Sequence, residues 1–184
     1  SHETAASEAA AAPGWGDIPG APFGEGIEIF DLADPENPQK LGEFKTGGGG
    51  THRNYFDGGR YVYLTSLIEG YDGHIPQIVD IADPAHPKEV SRWWREGHWI
   101  AGGEKGVPNG TLLHGGAYVR GDRAYLPYSA GGFIILDISD KAHPKKISDL
   151  PFSPPFQSFI AVHTALPLTQ RELVIVNSEA IVEN

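Results

Sequence analysis

Apolar residues in this 184-residue chain come in short runs, each closed by a polar or glycine-bearing turn. The runs at 61–64, 124–126 and 173–176 follow the turns Asp57-Gly58-Gly59, Arg120-Gly121-Asp122 and Thr169-Gln170-Arg171. A turn of that kind between two β-rich runs predicts a hairpin. A second set of runs, rich in Ile, Val and Leu, ends each time on an aspartate: Asp31, Asp80 and Asp137. Each of these aspartates opens a corner with a second one three residues on, at Asp34, Asp83 and Asp140. No stretch keeps helical periodicity long enough to predict a helix.

Both patterns repeat. The three corner aspartates lie 49 and 57 residues apart, roughly one propeller blade with loop insertions. Out of phase with them, three segments begin on histidine, at His52, His114 and His163, and superpose over twelve residues without a gap. The combined unit reads histidine-strand, turn, strand, loop, apolar strand, aspartate corner, outer strand. Four antiparallel strands per unit make a blade, so the predicted fold is all-β, a β-propeller of four-stranded antiparallel blades. Residues 1–20, alanine-rich and ending near Pro13-Gly14, predict a flexible leader. Residues 21–184 predict a partial propeller of about two full and two partial blades: 24–46, 52–95, 114–150 and a last one running to Glu179. An open sheet edge invites pairing, so the remaining blades are expected from the rest of a longer polypeptide or from another chain.

The phrases Ile-Val-Asp80-Ile-Ala-Asp83-Pro and Ile-Leu-Asp137-Ile-Ser-Asp140 resemble the LVIVD-repeat family of β-propeller proteins, over about residues 24–178. The resemblance implies the fold and leaves the activity open, since proteins with this repeat serve varied roles. Lys141 stands where the other two corners carry proline, which predicts a looser turn there. The resemblance also leans towards a periplasmic or secreted location. The leader itself has neither the basic start nor the apolar centre of a signal peptide.

Composition narrows the partners. A formal net charge of -10 with only 14 basic residues argues against nucleic acid and anionic membranes. No apolar stretch approaches the ~20 residues that cross a bilayer. With no cysteine, disulfides and thiolate metal sites are excluded. The 24 glycines and 15 prolines gather at strand ends, as a turn-rich fold requires.

Blade geometry puts His52, His114 and His163 at the innermost strands on one face, next to the axis. Three imidazoles from three rigid strands are the arrangement a transition metal needs, and an all-histidine set suits iron or copper at least as well as zinc. Glu179, on the same face, is the expected companion: a ligand, a hydrogen-bond partner for a ligand, or a general base. Asn54 falls on the same side of its strand as His52. Gly116 and Ala165 at the matching positions are expected to leave room for a ligand.

The loop after Trp93, with Trp94, His98 and Trp99, is too long for a tight blade connection and is expected to cover the axial opening. A second loop, 151–159, adds Phe156 on proline-stiffened backbone, and together they predict a partly apolar substrate pocket. Tyr71, His74 and Tyr128 are weaker rim candidates. The corner aspartates are read as Asx-turns rather than calcium ligands, with His86 and His143 exposed beside them. No nucleotide P-loop and no nucleophile elbow occurs. Asn109-Gly110-Thr111 is a glycosylation sequon, meaningful only in a secreted eukaryotic protein. The leading expectation is a metal-dependent enzyme acting on a small organic substrate, oxidoreductase slightly favoured over hydrolase or lyase. The rival is a non-catalytic propeller scaffold for a protein or glycan partner.

Overall fold

The computed structural model describes residues 25–108, 111–151 and 160–179. The leader expected over 1–20, Phe156 and Asn109 of the sequon lie outside the described residues. Four antiparallel sheets follow one another along the chain. The first pairs β1 (Ile27–Asp31) with β2 (Gln39–Phe44). The second contains β3 (Gly48–Thr51), β4 (Tyr55–Phe56), β5 (Tyr61–Ile68), β6 (Ile75–Asp80) and β7 (Lys88–Arg92). The third runs β8 (Tyr118–Arg120), β9 (Arg123–Pro127), β10 (Phe133–Asp137), β11 (Lys145–Leu150) in that spatial order. The fourth pairs β12 (Ile160–Pro167) with β13 (Val174–Glu179). Both β3 and β4 pair with β5, so they are two pieces of one interrupted inner strand. The second and third sheets are therefore complete four-stranded blades, inner strand to outer in chain order, and the fold is a β-propeller. Among the described residues no helix is long and apolar enough to cross a membrane.

The period-2 pattern of the middle strands explains how the sheets stack. Ala124 and Leu126 of β9, with Ile134 and Leu136 of β10, face the second sheet and pack with Tyr63 and Ile78. Their neighbours Tyr125, Phe133 and Ile135 face the other way, onto Ala165, Val174 and Val176 of the fourth sheet. The third sheet is thus covered on both faces. Leu126 and Ile134 are wholly excluded from solvent, and burying each such side chain contributes about 1.5–3 kcal/mol.

The three aspartate corners are the same device three times. Asp31, Asp80 and Asp137 each accept a hydrogen bond from the backbone N–H two residues on, at 2.8, 2.9 and 2.9 Å. Asp34, Asp83 and Asp140 do likewise, and each is also met by the side chain three residues later: Asn37, His86 and His143. Both histidines are exposed. The corner with Lys141 is no looser than the others. Its Asx bonds are intact, the Lys141 ammonium donates to the Ile138 carbonyl at 2.7 Å, and the Lys141 carbonyl accepts the Ser91 hydroxyl at 2.6 Å. Side-chain hydrogen bonds replace what proline would supply through its fixed φ. One residue before each of Gly42, Ser91 and Ser148, the outer strand bulges at Leu41, Val90 and Ile147, which twists the blade edge.

Candidate metal centre

The three axial histidines sit where the inner strands lose regular pairing. His52 occupies the break between β3 and β4, its N–H bonded to the Thr65 carbonyl at 2.8 Å. His114 precedes β8 and donates its N–H to the Pro127 carbonyl at 3.1 Å. His163 lies in an irregular stretch of β12, between the pairs Ile160–Glu179 and Thr164–Asn177. Bulges re-aim side chains, and here they send three rings to one place. The rings of His52 and His114 are 5.1 Å apart, as are those of His114 and His163.

Glycine makes the approach possible. A Cβ on Gly115 would lie 2.1 Å from the His163 carbonyl oxygen, and one on Gly116 would lie 3.3 Å from that of Arg53. The segment after His114 is thus pressed between the two neighbouring histidine strands. Gly116 serves this close contact and leaves no open channel, and Ala165 is buried in the sheet interface. The Thr65 hydroxyl lies 2.9 Å from the carbonyls of both Arg53 and Gly115, linking two inner strands.

Glu179, at the end of β13, completes the cluster. Its Oε2 is 3.7 Å from His114 Nε2 and 3.6 Å from His163 Nε2. One ligand atom from each of His114, His163 and Glu179 lies within 4.8 Å of the other two. Two ligand atoms ~2.1 Å from one ion stand roughly 3.0–3.6 Å apart at angles of 90–120°, and the two nitrogen–carboxylate distances lie just beyond that range. His163 Nδ1 shares a 2.7 Å hydrogen bond with Thr164 Oγ1, which leaves Nε2 for the cluster. His114 Nε2 is buried and makes no hydrogen bond among the described residues. His52 stands at the flank of the trio, its Nε2 accepting from Arg53 Nε at 3.2 Å.

His74, expected only at the rim, extends the row: its ring stacks on His52 at 5.6 Å, and its buried Nδ1 has no partner among the described residues. It comes from the tight loop between β5 and β6, where Gly73 turns at φ +73°. Burial, then the neighbouring histidines, pushes His74 and His114 down to about 4. Burial also lowers His52 and His163, with the Arg53 charge reinforcing it. All four rings are therefore neutral at pH 7, the form that binds metal.

The other expected site residues are placed differently. Asn54 holds the strand break together, its amide donating to Thr51 Oγ1 and accepting from the Thr65 N–H at 2.9 and 3.3 Å. Trp94 packs on Tyr71 and Trp99, and His98 is fully buried, edge-on to Tyr128 at 5.5 Å with Nδ1 bonded to the Asp72 carbonyl. Glu104 ties this loop from inside, accepting from the N–H groups of Gly97 and Trp99 and from Trp94 Nε1. The loop forms a cleft of about 740 Å³ with Lys146 and Asp149 of the outer strand β11. Trp99, 40% exposed, is its most open aromatic.

A stacked array of four-stranded antiparallel sheets with histidines on the inner strands defines a β-propeller with an axial histidine cluster. The LVIVD repeat matches residues 77–93 and 117–149, so the chain carries this repeat in both complete blades. These spans cover the apolar strands and aspartate corners of the two complete blades. No curated protein matches the chain.

Proposed function

We propose that this protein is a metal-dependent enzyme whose ion is held by His114, His163 and Glu179, and that it acts on a small organic substrate. The observation that carries this reading is the buried Nε2 of His114, which makes no hydrogen bond among the described residues and lies with His163 Nε2 opposite one carboxylate oxygen. Leaving a buried ring nitrogen unmatched costs about 1–3 kcal/mol, and a metal ion is the partner that a pair of imidazoles with a carboxylate suits. Two histidines and one carboxylate are the donor set of mononuclear iron(II) oxygenase sites with open positions, which favours oxidoreductase chemistry over hydrolysis or lyase chemistry. A transition ion there supplies a Lewis acid and, for iron or copper, a redox couple.

The remaining roles belong to the chain. Thr164 fixes the His163 ring, and outer hydrogen bonds of this kind orient metal-binding imidazoles. Glu179, with its side chain 43% exposed, offsets the charge of the ion and brings a carboxylate beside the substrate. His52 and His74 continue the neutral row on the side away from Glu179 and are further ligands if the cluster tightens. Elemental analysis with thermal melts tests the reading. Stoichiometric metal in the wild type, lost in a His114→Ala protein that melts with the metal-free wild type, supports it. A metal-free wild type together with a destabilised His114→Ala protein supports the scaffold role instead.

A further inference from the structure

Arg53 brings a positive charge to the site that no carboxylate among the described residues answers. Arg60, Arg92, Arg95 and Arg120 each lie against an acidic side chain: Asp80, Glu89, Asp149 and Glu172. Arg123 and Arg171 share the lack of such a partner among the described residues, but only Arg53 bonds to the histidine row. Arg53 makes one side-chain hydrogen bond, from Nε to His52 Nε2, and among the described residues its two Nη groups have no partner. It is exposed, and its charge reaches the His114 and His163 rings as well as His52.

A divalent ion on two neutral imidazoles and Glu179 leaves one positive charge in excess. Arg53 adds another at close range, which opposes metal binding unless an anion sits between them. The guanidinium edge is a planar fork of N–H donors that matches a carboxylate. We propose that the ligand of this site is a carboxylate-bearing organic anion, gripped by the Nη edge of Arg53 beside the row formed by His52, His114 and His163. The proposal rests on the metal reading for what lies at the far end of that anion, while the grip of Arg53 is independent of the ion.

Succinate is the probe, with succinamide as its uncharged counterpart and inorganic phosphate for comparison. The wild type, Arg53→Gln and Arg53→Lys are each titrated zinc-loaded and metal-free, following the Arg53 Nε–H resonance by NMR in wild type and the heat of binding in all three. Wild type binds succinate and not succinamide. Arg53→Gln weakens succinate about tenfold or more, as loss of a charge-assisted pair requires. Arg53→Lys, which keeps the charge without the fork, falls between. All three are brought to the same zinc stoichiometry before the zinc-loaded titrations, and Arg53→Gln binds zinc at least as tightly as the wild type. Equal succinate affinity in wild type and Arg53→Gln overturns the proposal, as does no succinate binding by wild type, or phosphate bound more tightly than succinate. If wild type takes up no zinc, the metal reading fails, and the metal-free titrations still decide the role of Arg53.

Discussion

Replacing Gly115 with alanine tests whether the close approach of two inner strands builds the centre. The new Cβ would meet the His163 carbonyl oxygen at 2.1 Å and Pro127 Cγ at 2.7 Å. An ordinary C···O contact begins near ~3.3 Å, so the strands must part by roughly 1.2 Å. One clashing atom is backbone, so no side-chain rotation relieves it. Overpacking of this kind costs about 1–3 kcal/mol. The same displacement moves His163 away from His114, and a site tolerates only about 0.5 Å before its geometry fails. Gly115→Ala should therefore melt at lower urea and bind zinc at least about tenfold more weakly by calorimetry. Gly58, where a Cβ meets nothing within 4 Å, supplies the control. Gly58→Ala strains a positive φ and lowers stability slightly, with zinc affinity unchanged. A Gly115→Ala protein with wild-type zinc affinity would show that the close approach of these strands does not build the centre, even if its stability falls.

Metal-free protein should lose stability on acidification. His74 and His114 take up protons near 6.5 when unfolded but not until about 4 when folded. The unfolded chain therefore binds more protons in that window, so stability is full above it and falls as pH drops through it. Each group accounts for at most about 3 kcal/mol, and urea melts across the window that show no slope contradict the burial of these rings. Thr65→Val removes the hydroxyl between the Arg53 and Gly115 carbonyls and should cost about 1–3 kcal/mol in urea unfolding; a neutral effect would mean the link contributes nothing. Glu104→Ala should open the 93–108 loop to limited proteolysis while zinc affinity stays at the wild-type level, since its bonds are internal to that loop. Cleavage unchanged from wild type would show that the loop is held by its aromatic packing alone.

The blade was legible because it is written as local chemistry. Asx corners depend on an aspartate and the N–H two residues on, and alternation on β9 and β10 sorts side chains between two interfaces. His114, His163 and Glu179 could be brought together from repeat register alone, since equivalent positions in successive blades meet near the axis. What lay beyond reach depended on contacts between blades. The pressure of the His163 carbonyl on Gly115 leaves no local signal, so Gly116 read as spare room when it marks a tight contact. The break that turns His52 towards Arg53 is a bulge that Asn54 staples, and a bulge carries no fixed motif. His74 reaches the row through the conformation of a short loop rather than strand register. The looser corner expected at Lys141 assumed that only proline could stiffen it, whereas Lys141 uses both its ammonium and its carbonyl.

X-ray absorption at the metal edge of the purified, metal-loaded protein reads the ligands of the ion itself. One bound ion should show imidazole scattering from two or more histidines and an oxygen ligand, all at about 2.0–2.2 Å. His163→Ala should lower the imidazole contribution, and Glu179→Gln should alter the oxygen shell. An ion without imidazole scattering, or a spectrum unchanged in both variants, would place the metal away from His114, His163 and Glu179.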